Sequence, residues 1–263
     1  MTGPQLAALR PRIKSPFLDG LAPHELGEVL GAARECRFLA GTVLASQGTP
    51  ANSLFLLVSG RARFFVLTPD GHKIVLMWLP VGEVIGGAAL QSVPSDYIVS
   101  TETVKDSTIL VWDRPTIRRL AIRYPRLLDN ALNMAAEFLI FYVATHVALT
   151  CHTAPQRLAA ILVNLAQGIG HKVPKGMELD VTNEELAQAA NVTHFTASRL
   201  ISQWQKQGAL VKTRGKILLR SPGKLFLVPR LAPPSAYASS HPTRTAIPNR
   251  PSRGLLRPTD ERS

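Results

Sequence analysis

The stretch 191-NVTHFTASRLISQW-204 sets hydroxyls, an imidazole and one cation among apolar residues. A guanidinium can grip the O6 and N7 of guanine with two parallel hydrogen bonds, and hydroxyls can meet base edges or phosphate oxygens. Arg199 is the candidate for the first task, and Thr193, His194 and Ser198 for the second. Phe195 offers apolar contact only, to a thymine methyl or to the protein's own core. Lys212, Arg214 and Lys216 follow in 208-GALVKTRGKILLRSP-222, where cations are spaced around Arg214-Gly215. That set suits phosphate neutralisation. The chemistry offered by these residue types and spacings is recognition of duplex DNA.

Other chemistries lack their parts. The chain has no Ser-His-Asp order, no P-loop and no HExxH motif. Its two cysteines, Cys36 and Cys151, are too few for a four-cysteine iron–sulfur cluster or zinc site, and they fit a reducing cytoplasm. A cupin-like metalloenzyme needs several histidines and a carboxylate in one barrel, but the strand-rich region holds only His72. No metal site is expected. Haem stays open through His72, His146, Cys36 or Cys151, and His152 beside Cys151 is a weak redox or metal signal.

Charge points the same way as the opening stretch. The net charge is +12. Residues 1–151 carry 14 Lys/Arg against 12 Asp/Glu, residues 152–228 carry 10 against 4, and residues 229–263 carry 6 against 2. The excess of +6 and +4 therefore lies in the C-terminal part, which favours a polyanionic partner.

The elements that must position these residues follow from local signals. Thr182 opens T-N-E-E, a capping box closed by Glu185, ahead of a helix over 183–190 with Leu186, Ala187 and Ala190 facing inward. Asn191 can take the left-handed turn conformation. Thr193 then caps a second helix, with Phe195 or Thr196, then Leu200, Ile201 and Trp204, as its apolar contacts. Strands on either side of Arg214-Gly215 make a basic wing, so the whole is a winged helix-turn-helix.

Upstream, residues 36–112 read as short strands cut by glycines, with Asp70-Gly71 as a hairpin signal. A short helix starts after Asp113. The run from Pro125 to Thr150 is one long helical pattern. Leu128, Leu132, Ala135, Leu139, Tyr142, His146 and Leu149 fall at spacings of three and four along it, a coiled-coil-like stripe suited to a second copy of the chain. Glu137, His146 and the preceding Asp129 and Asn130 argue against a membrane span over 134–150. Residues 155–168 form another amphipathic helix. The Pro/Ser/Arg-rich tail is aperiodic, and the N-terminus has no long apolar run, so a cytoplasmic location is expected.

At this point the chain resembles the Crp/Fnr family over roughly residues 17–226. The family's LTxEELAxxxGVSRExxSRxL stands here as VTNEELAQAANVTHFTASRLI, and VSGRARFF and DGHKIVLMWLPVGEVIGG are similar to its roll. The resemblance implies an α+β fold. An N-terminal antiparallel β-roll, a double-stranded β-helix of jelly-roll type, spans 15–121 as a sensor. A central dimerisation helix spans 122–151, a winged helix-turn-helix spans 152–226, and a disordered basic tail spans 229–263. It implies a homodimer, duplex DNA and RNA polymerase as partners, and a small-molecule effector.

Departures from the family pattern bear on specificity. His194 and Phe195 replace the usual arginine and glutamate of the reading helix, so the half-site should differ. The family's cyclic-nucleotide cassette has a glutamate for the ribose and an arginine for the phosphate. Gly87 stands at the glutamate, and Tyr97 and Ile98 stand at the arginine and serine. The central-helix adenine contacts fall on Tyr142 and Val143. The turn Gly86-Gly87-Ala88 keeps a backbone nest, which Arg61 or Arg63 could approach. Cyclic AMP is therefore not the expected effector. A roll that binds nothing and serves only for dimerisation or contacts is the alternative.

Overall fold

β-Branched and aromatic runs broken by glycine turns have one face to bury, and here they do so by curling into a roll. A computed structural model of the chain describes residues 13–225 apart from His72. The haem candidate His72 and the tail expected over 229–263 lie outside the described residues. After helix α1 (Pro23–Gly31) come β1 (Arg34–Phe38), β2 (Val43–Ala45), β3 (Ser53–Leu67), β4 (Lys73–Leu79), β5 (Val84–Ile85) and β6 (Ser100–Asp113). The sheet order is β1-β6-β3-β4, with β2 on β6 and β5 on β3, all antiparallel. Asp70-Gly71 closes the β3–β4 hairpin, with Leu67 opposite Lys73.

The sequence suggests a break at Gly60, yet β3 runs through it. The ladder with β6 slips in register between Leu57 and Ala62, and Gly60 has φ +93°. A side chain there would run into Ser107 and the Asp106 carbonyl. The glycine thus bends one long strand rather than ending it.

Two apolar clusters fill the roll and its flank. Leu57, Leu79, Ile85 and Ile109 lie inside; Phe17, Leu30, Leu54 and Trp112 lie under α1. Each such side chain, fully buried, stabilises by about 1.5–3 kcal/mol. The Trp112 indole donates to the Val29 carbonyl at 2.8 Å, so its burial leaves no orphan.

Asp113 caps α2 (Arg114–Arg123) by accepting from the Thr116 amide, and α3 (Arg126–Cys151) follows. α3 is long and apolar enough, by length and composition, to cross a bilayer. One face packs on the roll instead. Leu127, Met134, Phe141 and Ala148, seven residues apart, are buried, and buried Asn130 donates to the Phe17 and Asp19 carbonyls at 2.9 and 2.8 Å. The opposite face exposes Leu132 (70%), Leu139 (64%) and Val143 (57%). Leu128, Ala135 and His146 lie on this outer side. Tyr142 does not. It is half-buried against the roll beside Phe141, so the outer stripe runs through Val143. Four residues on from Phe138, Tyr142 falls on the same side of α3, toward the roll.

The C-terminal part comprises α4 (Ala154–Gly168), β7 (His171–Val173), β8 (Gly176–Leu179), α5 (Asn183–Ala189), α6 (His194–Lys206), β9 (Leu210–Thr213) and β10 (Lys216–Leu219). Thr153 and Gln156 form a capping box at α4. The segment HKVPKGMELDV forms a hairpin. Its second strand carries the wing, giving the order β7-β8-β10-β9. Val75 and Trp78 of β4 join the core of this part, so the two halves meet along the outer face of the roll.

Candidate nucleic-acid interface and effector pocket

The helix-turn-helix is built as its local signals dictate. Thr182 accepts from the Glu185 amide, and Glu185 reaches back to the Thr182 amide at 2.8 Å. Asn191 has φ +49°, the only left-handed non-glycine among the described residues. Thr193 caps α6 and accepts from the Thr196 amide at 3.2 Å. Ala197, Leu200, Ile201 and Trp204 are buried on one face of α6. The inward contact in the first turn is therefore Ala197. Phe195, one of the expected core contacts, is 85% exposed, because two residues along a helix turn about 200° away from Ala197's face.

The outward face of α6 thus carries Thr193, His194, Phe195 and Arg199, all exposed. His194 and Phe195 rings meet edge to face at 6.2 Å. Ser198 is half-buried and accepts a hydrogen bond from Asn183 Nδ2 at 2.9 Å, so it ties α6 to α5 while its own proton stays available to a partner. Asn183 was not singled out in the sequence. Its position at the first turn of α5, opposite a serine, is a long-range pairing that no local pattern announces.

In the wing, Gly215 has φ +71° and turns β9 into β10, with Lys216 opposite Thr213. Lys212 and Arg214 are exposed. Lys216 is engaged. Its ammonium lies 2.6 Å from Glu178 Oε1 and 3.6 Å from Asp180 Oδ1, which raises its pKa, chiefly through the Glu178 hydrogen bond. Of the three wing cations, it must break contacts before meeting a phosphate.

The expected effector residues separate into three places. Gly86 is left-handed at φ +81° and starts a short 3-10 turn over Gly87–Leu90. A Cβ on Gly86 would meet the Ser53 carbonyl and the Tyr97 ring, whereas Gly87 has open space around it. Tyr97 is buried and its hydroxyl both accepts from the Ser53 amide at 3.0 Å and donates to the Ser53 carbonyl at 2.9 Å. Burial pushes the phenol pKa up, against the Ser53 hydrogen bond. Ala88 is half-buried against the roll core. Ile98 is 76% exposed, in contrast to the buried Tyr97 beside it. Tyr142 sits with the roll cluster.

Arg61 and Arg63 do not approach this turn. Gly86 lies at the Ser53 end of β3, whereas Arg61 is eight residues along, beyond the bend at Gly60. Both arginines face the winged domain. Arg61, 4% exposed, donates through Nη1 to the Asp180 carbonyl at 2.9 Å and through Nη2 to the Ile169 carbonyl at 3.3 Å. Desolvation lowers its pKa, against the raising charges of Asp180 and Glu185. Arg63 bridges Glu102 Oε1 (2.7 Å) and Glu185 Oε1 (3.1 Å), and Lys73 reaches Glu102 Oε2 (2.7 Å). Lys105 pairs with Asp180. Burial pushes the Glu102 carboxyl up, but hydrogen bonds from Lys73 and Arg63 hold it below its ordinary value; the Lys105 hydrogen bond does the same for Asp180. The result is a clamp between domains. Its sequence signal was the spacing of two on β3, which puts both arginines on one face.

The haem candidates are scattered. Cys36 is half-buried in β1, His146 is exposed on the outer face of α3, and Cys151 is exposed at its end.

Comparison with known proteins covers both halves. The model of a Crp-like helix-turn-helix domain matches residues 156–226, and that of a cyclic nucleotide-binding domain matches residues 35–124. The cyclic AMP receptor protein of Thermus thermophilus is 27% identical over 207 residues, 78% of this chain and 93% of that one. Electron transport regulator A of Shewanella oneidensis is 27% identical over 186 residues, 68% and 71%. Among solved structures, a CooA variant from Carboxydothermus hydrogenoformans superposes with a TM-score of 0.61 at 27% identity, covering 75% of this chain and 88% of that one. FixK2 from Bradyrhizobium japonicum shares the fold, with a TM-score of 0.65 at 23% identity over 73% and 95%.

Proposed function

The chain belongs to the Crp/Fnr family of DNA-binding transcriptional regulators, and from that membership we propose a homodimer that reads a near-palindromic site and answers to an effector other than cyclic AMP. The observation that carries the reading is the outward face of α6. A helix seated by Ala197, Leu200, Ile201 and Trp204 leaves His194, an aromatic ring at Phe195 and the Arg199 guanidinium in solvent, beside the wing cations Lys212 and Arg214. An 85% exposed phenylalanine next to an arginine is a poor solvent surface and a good groove surface. In this reading Arg199 meets guanine, Phe195 covers a thymine methyl, and the wing lies along phosphates. Ser198 and Thr193 position the helix and donate at its edge.

The exposed stripe of α3 through Leu132, Leu139 and Val143 supports pairing with a second copy. Two-fold symmetry then sets two copies of α6 about one helical turn of DNA apart. The roll supports an effector that does not use the cyclic-nucleotide contacts. Gly87 offers no carboxylate, Tyr97 is tied to Ser53, and Arg61 and Arg63 are committed to the domain clamp. The protein would act in the cytoplasm, with RNA polymerase as its partner at the promoter, as in the regulators it resembles.

The test is duplex binding against salt. A dimer making on the order of 6–10 phosphate contacts loses roughly 10³–10⁵ in affinity between 50 and 200 mM salt. A flat salt response would contradict the electrostatic docking of α6 and the wing.

A further inference from the structure

We propose that Lys105, a residue of the roll, positions a DNA contact of the wing: it occupies Asp180 and so leaves the Lys216 ammonium free to move to a phosphate. The inference rests on the DNA-binding reading above and adds to it a link by which the placement of the roll sets the affinity of the reader.

Asp180 follows directly on β8, where the roll and the wing meet. Its Oδ2 accepts a hydrogen bond from Lys105 of β6. Its backbone carbonyl accepts from Arg61 Nη1 at 2.9 Å, which holds the residue against the roll. On the wing side, Ile217 of β10 pairs with Leu179 and Leu218 with Glu178. That register brings Lys216 to the end of β8, with its Nζ 2.6 Å from Glu178 Oε1 and 3.6 Å from Asp180 Oδ1. Asp180 Oδ1 is buried and accepts no hydrogen bond within the protein. One carboxylate therefore stands between two ammonium groups, one from each domain. It is hydrogen-bonded to the first and within ion-pair reach of the second.

The two lysines compete for it. A carboxylate bonded by Lys105 has part of its charge neutralised, and the Lys105 ammonium repels Lys216. Both effects lower the cost of moving Lys216 from Asp180 to the DNA backbone. When the roll moves away from the winged domain, Lys105 leaves, Asp180 keeps its full charge, and Lys216 closes the remaining gap to Oδ1. The wing then loses Lys216 as a phosphate contact. Glu178 belongs to the winged domain and holds Lys216 in either arrangement, so it sets the baseline and not the switch. Any change that alters the docking of the roll thus reaches the DNA through this one carboxylate.

The experiment is a double-mutant cycle across the two domains in the full chain, read by duplex binding over a range of salt. Lys105→Gln should weaken binding about three- to tenfold per dimer, the range for two partly exposed ion pairs. It should also lower the salt slope toward that of Lys216→Ala. In the Lys216→Ala background, Lys105→Gln should have no further effect on either quantity. Asp180→Asn removes the shared charge, so it should strengthen binding and abolish the effect of Lys105→Gln. Glu178→Gln lies outside the domain contact and should strengthen binding while the Lys105→Gln effect persists, which keeps the test decisive where Asp180→Asn disturbs the fold. On the same samples without DNA, NMR of isotope-labelled lysine Cε follows the Lys216 ammonium. Its titration midpoint should rise in Lys105→Gln and fall in Asp180→Asn. Equal loss of affinity from Lys105→Gln with Lys216 present or absent would overturn the link, because Lys105 would then act as an ordinary positive charge. An unmoved Lys216 titration would overturn it as well. If the wild type binds no duplex while the titration moves as stated, the DNA reading fails and the coupling of the two lysines stands. If duplex binding is intact and the cycle is additive, the link fails alone.

Discussion

Placing a glutamate at Leu132 should take the protein apart into monomers. Leu132 is 70% exposed in the single chain. Full burial of a leucine is worth about 1.5–3 kcal/mol, so covering the exposed share recovers about 1–2 kcal/mol. Two-fold symmetry counts it twice, or about 2–4 kcal/mol per dimer. The substitution also puts an unpaired carboxylate into each half of the interface, at a cost of several kcal/mol per ion. The total loss is roughly 5 kcal/mol or more, which raises the dimer dissociation constant by at least about three decades. Leu139→Glu, at 64% exposure, should behave alike. Sedimentation velocity at micromolar protein reads the result, with far-UV circular dichroism to show that α3 remains helical. Both variants remaining dimeric with wild-type affinity would refute the assignment of this face.

Two further predictions concern the roll and the clamp. Calorimetry should detect no binding of cyclic AMP or cyclic GMP near physiological concentration, because Gly87, Tyr97 and Ile98 supply neither the carboxylate nor the cation of the cassette; a micromolar dissociation constant would contradict this. Glu102 and Asp180 have depressed folded-state pKa values, so the stability they give is present above the ordinary carboxylate range of about 4 and is lost as pH falls through the lower folded values. Melting temperature should therefore fall steeply below about pH 4, and Glu102→Gln with Asp180→Asn should flatten that fall while lowering stability at pH 7. A double variant with the wild-type pH profile would show that the clamp does not hold the domains.

Features set by neighbours in the chain were legible, and features set by distant packing were not. The Thr182–Glu185 box, the left-handed Asn191, the Asp113 cap and the Asp70-Gly71 hairpin are all decided within a few residues. Gly60 was ambiguous, since a glycine both ends strands and bends them, and only Ser107 across the ladder decides. Phe195 stands open in the sequence between a thymine contact and the core, because its size and apolarity suit both; the small Ala197 faces inward and leaves Phe195 in solvent. By charge alone, Arg61 or Arg63 could approach the Gly86-Gly87 nest. Glu102 is the cross-strand neighbour of Arg63 on β6, whereas Ile169, Asp180 and Glu185 come from the winged domain, and only the docking of two domains brings those three to the arginines.

The central claim is that α6 reads bases while the wing positions the protein. Selection from random duplexes with wild type, Arg199→Ala and Lys212→Ala tests it most directly. Wild type should yield a near-palindrome with half-site centres about one helical turn apart. Arg199→Ala should cost about 1–3 kcal/mol on that site and relax preference at one base pair of each half. Lys212→Ala should keep the motif, weaken all sequences alike and lower the salt slope by roughly one per lost contact. An unchanged motif with Arg199→Ala, together with an altered one in the wing variant, would contradict the account.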